Sequence, residues 1–297
     1  MEKAKLNILP VPTFGWLNVN EAVRELTPYP EAGEQVIAGN NDDAVRLDIQ
    51  KNGQKVYKLI AKEGESLTAI EYIDAENADI KTDITAESGS NVKLIQVIVD
   101  TAQTVNSVKA ELSDNAGFEL VQLTLGGGDT LSDINVSLNG RASHFKADLG
   151  FKLKDDNKLD INLLASHRGK KTESLINASG VLSDNADKIF KGTIDFLNGA
   201  VGGKGAEKEE VLLLDEGVRN RTVPLILCAE EDVEGSHGAS IGRIDEAQVF
   251  YLQSRGLTEE KIYEFMANSK IEQVVRKIGD GQTISRINKA LGGKKDE

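Results

Sequence analysis

The middle of the chain is a series of short segments in which apolar and polar residues alternate. From about residue 44 to residue 228 this period of two indicates half-buried strands, and the 3.6-residue period of a helix is absent. Clusters of Asn, Asp, Gly and Ser lie between the segments, as turns require. The predicted strands are VRLDI (45–49), VYKLI (56–60), LTAIEYI (67–73), VKLIQVIV (92–99), FELVQLTL (118–125), INVSL (134–138), LDINLLA (159–165), ESLINASGVL (173–182), GTIDFL (192–197) and VPLIL (223–227).

A run of short strands this long fits three architectures: a large sandwich, a barrel or a stacked β-solenoid. The predicted inward positions are small and aliphatic rather than aromatic, which suits the narrow interior of a solenoid. Asn, Asp and Gly recur at the predicted corners, and the segments are alike in kind, although no fixed-length repeat is visible. The pattern therefore favours a mainly β fold with a solenoid core.

The segment before the strands has a different character. Residues 1–43 hold four of the five prolines and are predicted to form an N-terminal arm. Asn18 or Asn20 is a candidate cap for a short helix over Glu21–Leu26. Phe14 and Trp16 are expected to pack the arm onto the body.

Residues 44–243 are assigned to the β core and 244–297 to a small helical subdomain. Asp245 is the predicted N-cap of the helix EAQVFYLQSR, and Gly256 follows the C-terminus of that helix. Thr258 is the predicted cap of EEKIYEFMAN. IEQVVRKI and TISRINKAL are predicted as two further short helices, and the final GGKKDE as a solvated tail.

Composition narrows the possible functions. The net charge of −13 disfavours a nucleic-acid partner, because binding the phosphate backbone requires clustered Lys and Arg. The single cysteine excludes an intrachain disulfide framework and fits a reducing compartment. Neither a signal peptide nor a membrane-spanning segment is recognised, so we expect a cytoplasmic protein without a membrane partner.

Few residues in the chain suggest chemistry. Cys228 ends the strand VPLILC and is interpreted as a small buried hydrophobe. His237 lies in what the glycines suggest is an exposed turn, SHGAS, after a run of acidic residues. His144 and His167 lie at strand–turn edges and are interpreted as structural. Metal sites usually need three or four ligands at short spacings, so Cys228 and His237 do not define one by themselves.

The stretch from Cys228 onward resembles the C-terminal signature of the SufB/SufD family, the scaffold subunits of the SUF iron–sulfur cluster assembly machinery. The resemblance is specific over residues 165–265 and weak before them. Upstream, GVLSDNADKIFKGTIDFLNGA (180–200) and EVLLLDEGV (210–218) also look like the last solenoid coils of that family. The matching residues of the signature are Asp232-Val233, Ser236-His237-Gly238-Ala239, Gly242, Asp245-Glu246, Phe250-Tyr251-Leu252 and Ser254-Arg255-Gly256.

The resemblance implies a right-handed parallel β-helix followed by a helical domain. It also implies a non-enzymatic scaffold that pairs with a SufB-like subunit through the β-helix and docks a SufC-like ABC ATPase through the C-terminal helices. The residues expected in the ATPase-docking region are Asp245, Phe250, Tyr251 and Arg255.

Two departures make the chain resemble SufD rather than SufB. SufB members have Glu after the histidine, where this chain has Gly238, and they have a cysteine in the region that corresponds to residues 207–214. The resemblance makes His237 a candidate iron–sulfur ligand at a subunit interface and gives Cys228 no matching role. Because clusters are commonly held by four thiolates, we expect no stably bound cofactor, but a transient cluster shared with a partner.

Two other interpretations remain open from the sequence. A β-helix also suits a carbohydrate-active enzyme, although no carboxylate cluster stands out. The third is a homodimeric binding module that shares the fold without the assembly role.

Overall fold

The computed structural model describes residues 2–13, 15–41 and 43–292. Within this part of the chain, two parallel eight-stranded sheets contain most of the residues, and a separate antiparallel pair lies at the N-terminus. The strands are β1 (Glu2–Leu6), β2 (Ala22–Leu26), β3 (Glu34–Ala38), β4 (Val45–Ile49), β5 (Gly53–Ala61), β6 (Ser66–Ile73), β7 (Asn77–Ala86), β8 (Asn91–Val99), β9 (Gln103–Leu112), β10 (Gly117–Leu125), β11 (Asp129–Leu138), β12 (His144–Leu153), β13 (Lys158–His167), β14 (Glu173–Leu182), β15 (Asp187–Phe196), β16 (Gly203–Leu213), β17 (Arg219–Cys228) and β18 (Val233–Gly242).

The two large sheets face each other and form a solenoid. The chain alternates between them, so that β4 to β18 form the even-numbered sheet and β3 to β17 the odd-numbered sheet. Every neighbouring pair of strands within each of these sheets is parallel. The predicted fold class, mainly β with a parallel β-helix core and C-terminal helices, is confirmed.

The coils differ in length, which explains why the sequence shows no fixed repeat. The spacing between register partners grows from 22–24 residues near the N-terminus to 30–32 residues at the C-terminal end. Turns of different size absorb the difference while the strands keep their register. One column of register partners in the even-numbered sheet contains Leu67, Val92, Phe118, Phe145, Ser174, Gly205 and Gly235.

Asn and Asp at the corners have a conformational role. Asn115, Asp155 and Asp184 all adopt positive φ, between 52° and 56°. These residue types tolerate the left-handed region better than most because their short polar side chains bond the local backbone. The recurrence of Asn and Asp between strands is therefore a signal of tight solenoid corners.

The N-terminal arm contains a strand where the sequence suggested a helix. The expected helix over Glu21–Leu26 is wrong: Ala22–Leu26 forms β2 and pairs antiparallel with β1. Pairing with a distant strand overrides local helix propensity, which is a weak determinant. Trp16 is 77% exposed, so the buried anchors of the arm are other residues, and Phe14 lies outside the described residues.

The arm covers part of the outer face of the odd-numbered sheet. Leu9 and Val19 pack against Ile189 and Val223 in a small apolar cluster. The side chain of Asn7 donates a hydrogen bond of 2.8 Å to the Asp160 carboxylate. Polar contacts and a modest apolar patch thus attach the arm to the solenoid.

Three helices follow β18 in the described chain: α1 (Glu246–Ser254), α2 (Glu259–Ile278) and α3 (Gly281–Ala290). The predicted caps Asp245 and Thr258 both accept backbone N–H bonds, and Gly256 adopts positive φ after α1, as predicted. The prediction of separate helices for EEKIYEFMAN and IEQVVRKI is wrong, because both lie within α2. The expected solvated tail falls largely on residues 293–297, which lie outside the described residues.

α2 is continuous because its buried face is continuous. Ala267 and Ile271, one turn apart, are both buried on either side of the predicted break. Further along, α2 and α3 pack on outward-facing apolar residues of β6, β8 and β10. Arg286 of α3 lies over the Tyr72 ring at 3.4 Å, which adds a cation–π contact. None of the described helices combines the length and apolar character needed to cross a membrane.

Candidate functional site at the open end of the solenoid

The solenoid ends in two long strands on which no further coil of the described chain stacks. β17 and β18 are the terminal strands of their sheets, and each is ten residues long. β18 is exposed over nearly its whole length. The outer edge of such a strand presents unpaired N–H and C=O groups, which form a ready template for pairing with another chain. We call this end of the solenoid, formed by β17 and β18, the open end.

His237 lies in the middle of β18, and the predicted turn at SHGAS is wrong. The glycines here occur in a strand that pairs with β16. A Cβ added to Gly235 would lie 3.1 Å from Ile226 and 3.2 Å from Phe196, so position 235 faces the solenoid interior. Because side chains alternate along a strand, His237 also faces inward. Its exposure results from the absence of a further coil above it.

Glu207 lies directly beneath His237 in the preceding coil. The two residues are register partners on β16 and β18. Glu207 is only 5% exposed, and its carboxylate lies against Gly192, where any Cβ would collide with it. Burial, and secondarily the charge of Glu209, raise the pKa of Glu207 to about 7, while Lys188 opposes the shift.

A fully buried ion pair lies beside Glu207. The Lys188 ammonium donates to one oxygen of the Glu209 carboxylate, and both side chains are completely buried. The Thr222 hydroxyl donates to the other oxygen at 2.6 Å. The Lys188 Nζ also lies 5.5 Å and 5.6 Å from the ring centroids of Phe151 and Phe190. Both Glu209 oxygens are therefore satisfied within the chain.

Cys228 is exposed, so the interpretation of a buried core residue is wrong. It is the register partner of the inward-facing Phe196, but no coil follows to bury it. Its thiol donates to the Glu230 carbonyl at 3.0 Å. Ile226 lies opposite Gly235 across the solenoid interior, and Cys228 and His237 lie two residues away from this pair on either side of it. The two residues are therefore four residues apart along the strand direction, or about 13 Å. The two residues share the open end but not one ligand position.

The other two histidines lie apart from the open end. His144 is exposed at the start of β12. His167 is buried at the end of β13, and its two ring nitrogens contact the hydroxyls of Thr172 and Ser174 at 2.7 Å and 2.8 Å. Burial lowers the pKa of His167 to about 4. The contacts of His167 are those of a neutral structural ring.

The predicted docking residues lie around α1. Asp245 caps the helix by accepting from the Ala247 N–H at 2.7 Å. Phe250 is 73% exposed and Tyr251 56%, and the Arg255 guanidinium lies 5.1 Å from the Tyr251 ring centroid. Phe265 of α2 is exposed as well. We call Phe250, Tyr251 and Phe265 the helical aromatic patch.

Metal binding by this chain alone is restricted. Within the described residues, no three His, Cys, Asp or Glu side chains are grouped closely enough to hold a metal ion. His237 and Glu207 provide two donors at most. An ion at the open end would need ligands from a second molecule.

Sequence reasoning missed Lys188, Glu207 and Glu209. The signal was present in the alternation of GKGAEKEEVLL, where Gly203, Gly205, Glu207, Glu209 and Val211 share one strand face. Val211 identifies that face as inward, because it belongs to the main core. Lys188 gave the same signal, because it alternates with Phe190 and Ile194 of the main core, whereas its pairing with Glu209 in a different strand could not be read from the sequence.

The fold and the open end define a class: a parallel β-solenoid with helices on its flank and a terminal coil whose edges are available for pairing. The family model for the SUF system FeS cluster assembly SufBD core domain matches residues 48–293. The chain belongs to that SufB/SufD family.

Several curated relatives are similar to the chain. The iron–sulfur cluster assembly protein SufD of Bacillus subtilis is 29% identical over 223 residues, which cover 70% of this chain and 51% of the relative. SufD of Escherichia coli is 33% identical over 119 residues, or 38% and 28% of the two chains. A SufBD family protein of Mycobacterium leprae is 24% identical over 78% of this chain and 62% of its own length. The chain thus spans about half the length of the Bacillus protein.

Proposed function

We propose that the chain is a SufD-like scaffold subunit in iron–sulfur cluster assembly. The observation that carries the proposal is its membership of the SufBD core family over residues 48–293. In this role the chain performs no catalysis of its own and acts in the cytoplasm. Its contribution is to hold partners and a nascent cluster in fixed positions.

The proposed contact with a SufB-like subunit is the open end. β17 and β18 offer two long edges, one in each parallel sheet. At the opposite end of the solenoid, the edge strands β3 and β4 are only five residues long each. A partner solenoid with similar edges can extend both sheets through backbone hydrogen bonds. In isolation the same edges allow two copies of this chain to form a homodimer.

The proposed contact with a SufC-like ATPase is the helical aromatic patch. Large exposed aromatic side chains are enriched at the centres of protein interfaces, where their burial contributes most of the binding energy. The patch lies on α1 and the first half of α2. The second half of α2 is fixed to the solenoid by Ile271 and Val274. ATPase movement could therefore be transmitted to the solenoid through one continuous helix.

The nascent cluster is the cargo of this proposed complex. Clusters are held mainly by cysteine thiolates, and His237 can substitute for one of them, as histidine does in mixed Cys/His sites. The Cys228 thiol is about 13 Å from His237 along the strand direction, which is too far to bind the same iron. The thiolates and sulfide therefore come from the partner side.

The two contacts can be tested separately by co-purification with the SufB-like and SufC-like partners. The double variant Phe250→Ala/Tyr251→Ala is expected to lose the ATPase and keep the scaffold partner. Ala239→Arg places a charge on the inward face of the open end and is expected to have the reverse effect. Ser240→Arg, the adjacent residue on the outward face, is the matched control and should retain both partners. Retention of both partners by all variants would contradict the assigned surfaces.

Replacement of His237 with Ala is expected to abolish cluster maturation while the complex still forms. The imidazole is exposed and makes no hydrogen bond to any part of the chain that the structure describes, so its loss removes a ligand and not a core contact. The measurement is the activity of an iron–sulfur enzyme in cells that depend on this gene, alongside recovery of the intact complex. Normal maturation in the His237→Ala strain would remove the ligand role and leave the scaffold role standing.

A further inference from the structure

We propose that Glu207 and His237 together bind one ferrous ion at the open end, as the half of a site that a partner subunit completes. The inference rests on the proposed role of His237 and adds a carboxylate that neither the sequence motif nor the family resemblance indicated. It implies that iron can bind to this subunit before sulfide is present.

The register of the last two coils places the two donors next to each other. Glu207 and His237 are direct partners in the parallel pairing of β16 with β18. Neighbouring strands lie about 4.8 Å apart, and register partners point to the same face of a sheet. Both side chains therefore point into the solenoid at its mouth, within the span that one metal ion can bridge.

Glu207 differs from its neighbour Glu209 in having no partner within the described chain. It is more than nine-tenths buried, and within the described chain its carboxylate takes part in no hydrogen bond and no ion pair within 4 Å. A carboxylate that makes no hydrogen bond within the chain keeps its oxygen lone pairs available to a ligand at the mouth of the solenoid. Glu209, two residues away, is fully satisfied by Lys188 and Thr222 and is not available for this role.

The strand opposite Glu207 leaves space for its carboxylate. Gly192 faces Glu207 across the interior, and a Cβ at position 192 would overlap the carboxylate oxygens. An alanine at Gly192 would displace the side chain from this position. Carboxylate and neutral imidazole are a donor pair that suits Fe(II), which is bound by the same residue types in non-haem iron sites.

The test is anaerobic equilibrium dialysis of Fe(II) against the complex of this chain with its SufB-like partner. Glu207→Gln keeps the size and removes the charge, and it is expected to weaken Fe(II) binding at least about tenfold, the loss typical of damaged metal sites. His237→Ala should weaken it similarly. Adding the second substitution should cost less than the sum of the two effects, because both donors serve one ion. Glu234→Gln, an exposed outward-facing residue of β18, is the matched control.

The outcomes separate this inference from the proposed function. If Glu207→Gln binds Fe(II) like the wild type while His237→Ala does not, the Glu207 inference fails and the His237 role stands. If neither variant changes binding, both fail. If a variant fails to form the complex with the partner, the isolated full chain is titrated with Co(II) instead. The visible absorption bands of Co(II) report ligation by carboxylate and imidazole. An unchanged Co(II) spectrum in Glu207→Gln would also overturn the inference.

Discussion

Replacing Lys188 with Met is expected to lower the free energy of unfolding by about 3–5 kcal/mol. Lys188 and Glu209 form an ion pair in which both side chains are completely buried. Removal of the ammonium leaves the Glu209 carboxylate in an apolar interior with only the Thr222 hydroxyl as a partner. Burial lowers the pKa of Lys188 and Glu209 opposes that shift, so the two charges depend on each other.

The measurement is denaturant unfolding at pH 8, where Glu209 is ionised in the unfolded chain. Lys204→Met is the matched control, because Lys204 pairs with Glu234 on the exposed surface, where solvent screens the two charges. The double variant Lys188→Met/Glu209→Leu should recover most of the loss, because no unpaired charge remains. A loss in Lys188→Met no larger than that in Lys204→Met would show that the buried pair is not needed for stability.

Acidification from pH 6.5 to pH 4 is expected to remove about 3 kcal/mol of stability through His167. Burial holds the pKa of His167 at about 4, against 6.5 for the free side chain. Well above pH 6.5 the ring is neutral in both the folded and the unfolded chain, and its full contribution to the free energy of unfolding is present. Between pH 6.5 and pH 4 the unfolded chain binds a proton that the folded chain does not, so stability falls by about 1.4 kcal/mol per pH unit.

The effect is measured as the difference in pH dependence between the wild type and His167→Gln, which cannot take up the proton. The comparison also cancels the contribution of Glu207, which is the same in both proteins. The raised pKa of Glu207, about 7, gives a pH dependence of the opposite sign, because its contribution to stability is lost as the pH rises from 4.5 to 7. His144→Gln, a substitution of the same kind at an exposed position, is the matched control. Equal slopes for His167→Gln and the wild type would contradict the prediction.

The candidate site was predicted only in part. The motif around His237 identified the residue, but its glycines suggested a turn, whereas the structure places it in β18. Pairing with β16 decides this, because glycine is accepted in a strand when a neighbour supplies the register. Cys228 was misjudged for a related reason: its strand is apolar enough for a core position, but burial depends on whether another coil follows.

Long-range pairing also changed the N-terminal arm. The segment at 22–26 has local features of a short helix, and only its distant partner at 2–6 makes it a strand. In the same way, the local sequence near Asn268 allowed a break between two helices. A continuous buried face against the solenoid keeps α2 intact.

The sequence by itself determined the solenoid class, the change to helices after Gly242, and the caps Asp245 and Thr258, because alternation and capping act between residues close in the chain. Only the tertiary structure decided which residues meet across coils. Glu207 lies under His237, and Lys188 meets Glu209, because of a register set by coils of unequal length. The tertiary structure also decided that the last coil stays uncovered, since exposure of an apolar strand depends on what packs above it and not on its own residues.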